Sequence, residues 1–448
     1  MQVDEKSNSH SPVTGGMSEK SSKAGRAVRW WVAVAVILAL SISVGSLICR
    51  KVAAEPGTPF AAAESMHTAR RSFTVTKVEW TSRPRGKGLE DSLVVIGGED
   101  ADGKPLSSWE VYDPETKTFT KGGDLPRPRV GHTATALLGG SIFIAGGWDG
   151  RDYVDECAIL DPGTGEIREG PKLKYPRRGA VSVMVQDIRN ATAADGAPEG
   201  VARSFTLHAM VLIAGGASQE CGIEYYDVTN GTIGYLPAPG ATLTGATLTP
   251  FGPFLSPLAL FAGGRRPDGT VSDETWFVDA ATLTVQSAGR LNQARANHCA
   301  ISLPSLQGLL LLIGGSGADG RALSSTEVLQ MGKPFAPGPE LLWPVASGSV
   351  CFAGNLDRHM SFFPSPWHVL LVGGVDKKPS ARTQVLGEPY TAWKKGPRLQ
   401  TARCGAQSSS FFGVQFGAWH VVVMGGRTPG EEATSTCEWS EYIEDEET

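Results

Sequence analysis

Arginine and lysine gather at two kinds of place in this 448-residue chain. One kind directly follows a glycine pair, as Arg265 and Arg266 follow Gly263-Gly264 and Arg427 follows Gly425-Gly426. Trp148, Arg151, Arg321 and Lys377 stand just after other such pairs, among the acidic or polar Glu99, Asp100, Asp149, Gln219, Glu220, Asp319 and Asp376. The other kind opens a polar-to-apolar run: Arg129, Arg178, Arg295 and Arg403. A guanidinium offers paired N–H donors that match a carboxylate or phosphate, so the chemistry on offer is anion recognition. The run-opening arginines have a plainer alternative, which is bonding backbone carbonyls. Catalytic groups are less convincing. No Cys-x-x-Cys spacing is present, which argues against a zinc or dithiol site. His132 and His298 each stand three residues after an arginine, and His208, His368 and His420 lead into apolar runs. Such regular placement suits structural histidines. No metal and no cofactor is expected.

The elements that must carry these groups are periodic. Seven short apolar runs end in Gly-Gly, closing at Gly98, Gly147, Gly216, Gly264, Gly315, Gly374 and Gly426, at intervals of 48 to 69 residues. Four to six β-branched or leucine residues closed by glycine make a strand buried on both faces. Downstream come alternating strands that end in turn chemistry, such as Trp109–Pro114, Cys157–Pro162 and Ile223–Val228. A short further strand follows, as at 117–126 and 391–399. Four strands in about 50 residues is one propeller blade.

The ordered set Arg-x-x-His, Gly-Gly, Tyr-Asp-Pro, aromatic, Leu-Pro resembles the kelch repeat over residues 69–448. The resemblance implies an all-β, seven-bladed kelch-type β-propeller. Blade one takes Ser72–Trp80 as its inner strand, and Thr434–Tyr442 supplies a third strand to blade seven. Whether residues before Arg70 complete that blade is left open. The long third interval predicts a surface loop over about Asp187–Ser204. In kelch propellers the loops after Gly-Gly and those leading into inner strands share one mouth of the channel. That implies a protein or glycan ligand held by Trp148, Arg151, Arg265, Arg266, Arg321, Lys377 and Arg427. Arg265 and Arg427 resemble the arginines with which stress-sensing kelch adaptors grip acidic peptides, and blades four and seven would set them across the channel. Kelch propellers also include copper-radical oxidases of the galactose oxidase type, which hold the metal with two tyrosines and two histidines. No tyrosine here adjoins a histidine. A lumenal carbohydrate-active enzyme, oxidase or mutarotase in type, is the alternative to a binding module.

Composition and flanks bound the setting. Charged residues make up 19% and the formal net charge is −5, giving no reason to expect a nucleic-acid partner. Trp30–Cys49 is twenty residues without a charge, long enough to cross a ~30 Å hydrocarbon core. Lys6, Lys20, Lys23, Arg26 and Arg29 precede it, so the positive-inside rule leaves the N-terminus cytosolic. The expected organisation is a cytosolic tail at 1–29, a signal-anchor helix at 30–49, a linker at 50–68 and the propeller at 69–448. The propeller would be lumenal or extracellular, or secreted if cleavage occurs near Val52-Ala53-Ala54. Two sequons, at Asn190 and Asn230, agree with that side. Cys49 closes the apolar segment. The other six cysteines are expected as buried thiols, with a Cys351–Cys404 disulfide left open.

Overall fold

The computed structural model describes residues 60–442 apart from 79–91, 191–204, 217–221, 239–241, 253–254, 304–307, 354–367, 388, 414–417 and 431. These residues form seven four-stranded antiparallel sheets. Blade one is β2 (Thr74–Val78), β3 (Ser92–Ile96), β4 (Ser108–Asp113) and β5 (Thr118–Asp124). Blade two is β6 (Thr133–Ala136), β7 (Ile142–Ala145), β8 (Glu156–Leu160) and β9 (Ile167–Lys172). Blade three is β10 (Val181–Asn190), β11 (Phe205–Ala214), β12 (Ile223–Asp227) and β13 (Thr232–Leu236). Blade four is β14 (Thr247–Pro250), β15 (Leu258–Ala262), β16 (Glu274–Asp279) and β17 (Thr284–Arg290). Blade five is β18 (Cys299–Leu303), β19 (Leu309–Ile313), β20 (Thr326–Gln330) and β21 (Ala336–Pro337). Blade six is β22 (Ser349–Ala353), β23 (His368–Val372), β24 (Thr383–Leu386) and β25 (Lys394–Lys395). Blade seven is β26 (Gln407–Gly413), β27 (Ala418–Met424) and β28 (Cys437–Tyr442), completed by β1 (Ala61–Ala62) from the other end of the chain. Ala61 pairs with Trp439 and Ala62 with Glu438, so the blade left open by the sequence is finished from before Arg70.

The glycine pairs fasten each blade to the next. The second glycine's N–H donates to the carbonyl that opens the following blade: Gly98 to Arg129 (2.8 Å), Gly147 to Arg177 (2.6 Å), Gly264 to Arg295 (2.8 Å) and Gly374 to Arg403 (3.0 Å). Gly426 closes the ring on Arg70 at 3.4 Å. Gly97 shows why no side chain is tolerated here. Its φ is +58°, and a Cβ would lie 2.7 Å from the Arg129 carbonyl and 2.9 Å from the His132 ring. The histidine of one blade thus uses space that the glycine of the preceding blade leaves.

His132 and His298 are buried in these seams, their Nε2 atoms 3.0 Å from Thr74 Oγ1 and 2.9 Å from Thr247 Oγ1. Burial, reinforced by Arg129 and Arg295 respectively, lowers both to about 3. In the unfolded chain each takes up a proton near pH 6.5. The stability tied to their neutral form is therefore complete above pH 6.5 and is lost as the pH falls toward 3. Urea titrations at pH 7 and pH 5 should differ by about 2 kcal/mol per histidine. A His132→Asn/His298→Asn variant should show a flatter pH dependence; an equal slope would contradict the assignment.

Two expectations are corrected. Asp187–Asn190 is strand, because the β10–β11 ladder continues to Asn190 opposite Phe205; only 191–204, outside the described residues, is left for the loop. In blade three the buried run-opening residue is Arg177 in place of Arg178, while Arg129, Arg295 and Arg403 are buried and bond backbone carbonyls, the plainer of the two readings. The described cysteines are as expected: Cys157, Cys351, Cys404 and Cys437 are buried and Cys299 half-buried, and none is in a disulfide. The expected helix at 30–49 lies outside the described residues. Among the described residues no helix is long and apolar enough to cross a membrane.

Candidate functional site

Two residues after each buried lead-in position the backbone turns left-handed, at Ser72, Gly131, Gly179, Gly245, Asn297, Ser347 and Gly405, with φ between 50 and 73°. Successive blades join through these residues. Gly131 N–H donates to Ser72 O (3.1 Å) and Gly179 N–H to Gly131 O (2.7 Å). Asn297 donates to Gly245 (2.7 Å), Ser347 to Asn297 (2.9 Å) and Gly405 to Ser347 (3.0 Å). Because each inner strand begins just beyond, this girdle rims one mouth of the channel. The same bond is missing at two joints, between Gly405 and Ser72 and between Gly179 and Gly245, and at the second a cleft of about 400 Å³ opens, lined by Tyr153, Arg178, Thr242, Thr244, Arg265 and Pro267.

In the six blades where it is described, the residue after the glycine pair bridges back to the residue after the lead-in position. Glu99 pairs with Arg71, Trp148 with Val130, Arg265 with Thr244, Ser316 with Ala296, Val375 with Ala346 and Arg427 with Cys404. Trp148, Arg265 and Arg427 therefore hold equivalent places in blades two, four and seven. The Arg178 guanidinium sits over the Trp148 ring, 4.9 Å from its centroid, a cation–π contact that holds the planar donor on the rim. Arg265 turns one Nη to Gly269 O at 2.8 Å. Its neighbour across the cleft is Arg178, not Arg427.

The remaining sequence-chosen residues fare differently. Arg266 pairs with Glu274, and exposed Arg321 lies 3.8 Å from Asp319. Arg151 is exposed, on a loop whose backbone N–H groups at 151 and 152 donate to Asp149 Oδ1 at 2.8 Å. Those bonds, followed by the Arg127 guanidinium, bring Asp149 down to about 2. Lys377 lies on a separate cleft in blade six. Asn230 stands on the exposed turn between β12 and β13, its Nδ2 donating to Asp227 Oδ2 at 2.8 Å. The side chain of Asn190, at the end of β10, lies outside the description.

The sequence reading missed Tyr153, the cleft role of Arg178, and a set of buried glutamates. Glu110, Glu224, Glu327 and Glu438 pair with Arg70, Arg177, Arg295 and Arg403 at 2.6, 2.9, 2.7 and 2.7 Å. The signal was present: each buried arginine stands two before a left-handed residue, so Gly179 marks Arg177 as the one that turns inward.

Residues 89–126 match the kelch motif. An F-box/kelch-repeat protein of Arabidopsis thaliana is 51% identical over 55 residues, which is 12% of this chain and 14% of that one. Kelch-like protein 36 of Rattus norvegicus is 41% identical over 61 residues, covering 14% and 10%. A Rab9 effector protein with kelch motifs from Xenopus laevis is 35% identical over 77 residues, covering 16% and 21%. The chain thus spans at most about a fifth of the relatives it matches here. Among solved structures, a fungal alcohol oxidase of the AA5 family, in complex with copper, aligns with a TM-score of 0.61 at 13% identity, over 86% of this chain and 77% of that one. That likeness shows the fold alone. Among the described residues no three His, Cys, Asp or Glu side chains gather, and His132 and His298 are held by threonines in separate seams. The motif at 89–126, the matches to kelch-repeat proteins and the seven four-stranded blades together support a kelch-repeat family for this propeller.

Proposed function

We propose that the ring is a protein-binding module that seats an acidic partner segment in the cleft between blades three and four. The observation that carries this is the Arg178 guanidinium stacked on Trp148 and facing Arg265 across the gap in the girdle. Neither arginine is ion-paired to a described carboxylate, whereas Arg127 and Arg266 on the loops and Arg290 at the end of β17 all are. Similarity to proteins described as kelch-like and as a Rab9 effector supports a protein partner. Charge-assisted bonds are worth roughly 1.5–3 kcal/mol each. Arg178→Ala/Arg265→Ala should then weaken binding to a glutamate-rich peptide panel by about two to four powers of ten at low salt. The melting temperature should hardly move, because surface changes usually stay within about 0.5 kcal/mol. Unchanged peptide binding would sink the site. A glycan is the second reading, favoured by the Trp148 and Tyr153 rings at the cleft, and a glycan array tests it on the same protein.

Anchorage by residues 30–49, with the propeller lumenal or extracellular, is part of the proposal and rests on the uncharged run and the basic residues before it. The exposed Asn230 turn agrees with glycosylation. Protease added to intact microsomes should then trim only about the first 29 residues, and glycosidase should lower the mass of the protected product. Digestion of the propeller under those conditions reverses the orientation.

A further inference from the structure

Five blades fill one internal slot with their own arginine. In blade one, Arg70 Nη1 donates to Gly97 O at 2.9 Å and Ser108 O at 3.0 Å, with Glu110 beside it. Arg177, Arg295 and Arg403 repeat the arrangement, each with a glutamate. In blade two the glutamate position is Ala158, and Arg129 is held by Gly146 O (2.9 Å) and Glu156 O (2.7 Å), so two carbonyls suffice. Two blades lack the arginine. Blade four has apolar bulk there, buried Leu243 lying in a cluster against which partly buried Trp276 packs. Blade six has Val345 and Gln384, and its slot stays open.

The open slot is a cavity of about 290 Å³ lined by Val345, Gly373 and Arg382. Gly373 N–H donates to Arg382 O at 3.1 Å, as Gly97 N–H does to Ser108 O at 3.0 Å, so the two carbonyls stand in register with those that grip Arg70. Among the described residues no side chain donates to either. Gln384 is occupied, its Oε1 accepting from Leu342 N at 2.7 Å and its Nε2 donating to Trp343 O at 3.3 Å. The rim carries Lys377, Lys378, Arg382 and Arg398, all exposed and none ion-paired to a described carboxylate, against the single acid Asp376. The floor calls for a cationic donor of guanidinium shape, while the rim calls for anions.

We propose that blade six is a receptor for an arginine side chain presented by a protein partner, with acidic residues on both sides of that arginine. The guanidinium would take the place that Arg70, Arg177, Arg295 and Arg403 take in their own blades. Its neighbours would neutralise Lys377, Lys378 and Arg398, without which a fifth cation would be repelled. Lysine would serve poorly, because a compact ammonium cannot fork between two carbonyls. This site is separate from the cleft between blades three and four and does not rest on it.

The probe is a capped Glu-Glu-Arg-Glu-Glu peptide, read by calorimetry and by Trp343 fluorescence on the full chain. Replacing the peptide's arginine with citrulline, neutral and of the same shape, should weaken binding at least about tenfold, and so should replacing its glutamates with glutamine. Val345→Arg/Gln384→Glu rebuilds in blade six the pair found in four other blades, and should fold as well as the parent while losing the peptide. Lys377→Ala/Lys378→Ala, which touches no buried atom, should weaken binding and flatten its salt dependence. Arg178→Ala/Arg265→Ala should leave this peptide's affinity unchanged, which separates the two sites. Equal affinity for the citrulline peptide, no binding of the arginine peptide at millimolar concentration, or full binding by a folded Val345→Arg/Gln384→Glu protein would each overturn the proposal.

Discussion

Glu224→Ala is expected to destabilise the propeller by about 3–5 kcal/mol, the range for removing one partner of a buried ion pair. Glu224 and Arg177 are both fully buried. The carboxylate accepts from Arg177 Nε at 3.1 Å and Nη2 at 2.9 Å and from the backbone N–H of Lys174 at 2.7 Å. Alanine leaves a guanidinium held only by Gly215 O and Gly222 O, and orphans one backbone donor. The cost comes from the unpaired charge more than from lost volume, and a second variant removes that charge. Arg177→Leu/Glu224→Trp copies the Leu243 and Trp276 of blade four and should recover most of the loss. Urea unfolding of parent, single and double variants is the measurement. A double variant no better than the single one would show that the unpaired charge does not set the cost.

Phe60→Ala is expected to cost about 3–5 kcal/mol as a core aromatic truncation and to open the ring. Phe60 is fully buried among Cys351, Leu370, Val372, Leu399, Val421 and Val423, spanning blades six and seven. It also ties the chain down, with its N–H on Arg398 O at 3.3 Å and its carbonyl accepting from Gln400 Nε2 at 2.9 Å. β1 is two alanines and cannot hold by its ladder alone. Loss of Phe60 should therefore free β1, bare the edge of β28 and sensitise blade seven to limited proteolysis before the other blades. Cleavage first in another blade would place the weak point elsewhere.

Much of the ring was legible because its signals are local and repeated. A glycine pair after an apolar run reports a strand that must end where two backbones meet, and seven of them count the blades. Carbonyl bonding by the run-opening arginines was legible, but their glutamate partners were not. Arginine is nearly always exposed, and what draws Arg177 inside is a glutamate 47 residues away. The doubled Arg177-Arg178 adds a one-residue ambiguity, and the run-opening position falls on Arg177, not Arg178. β1 carries no pattern at all, since two residues show no alternation. The cleft between blades three and four depends on a hydrogen bond that is not made, which no residue type announces. The blade-six slot was hidden for the opposite reason. Val345 and Gln384 look unremarkable until set beside the arginine and glutamate that their register positions carry elsewhere.

The closure of blade seven also fixes an order of events during synthesis. Ala61 must wait for Trp439, its partner in the ladder. At the usual 5–20 residues per second, roughly 20–75 s pass between translation of the two strands. Blades one to six each hold their four strands in one contiguous stretch and can assemble as they leave the ribosome. Through that interval the strand made first has no mate, and the finished blades form an open arc with an unsatisfied edge at each end. Such edges invite pairing with other chains, so the nascent arc, rather than the completed ring, is the form of this protein most exposed to aggregation and most in need of a chaperone.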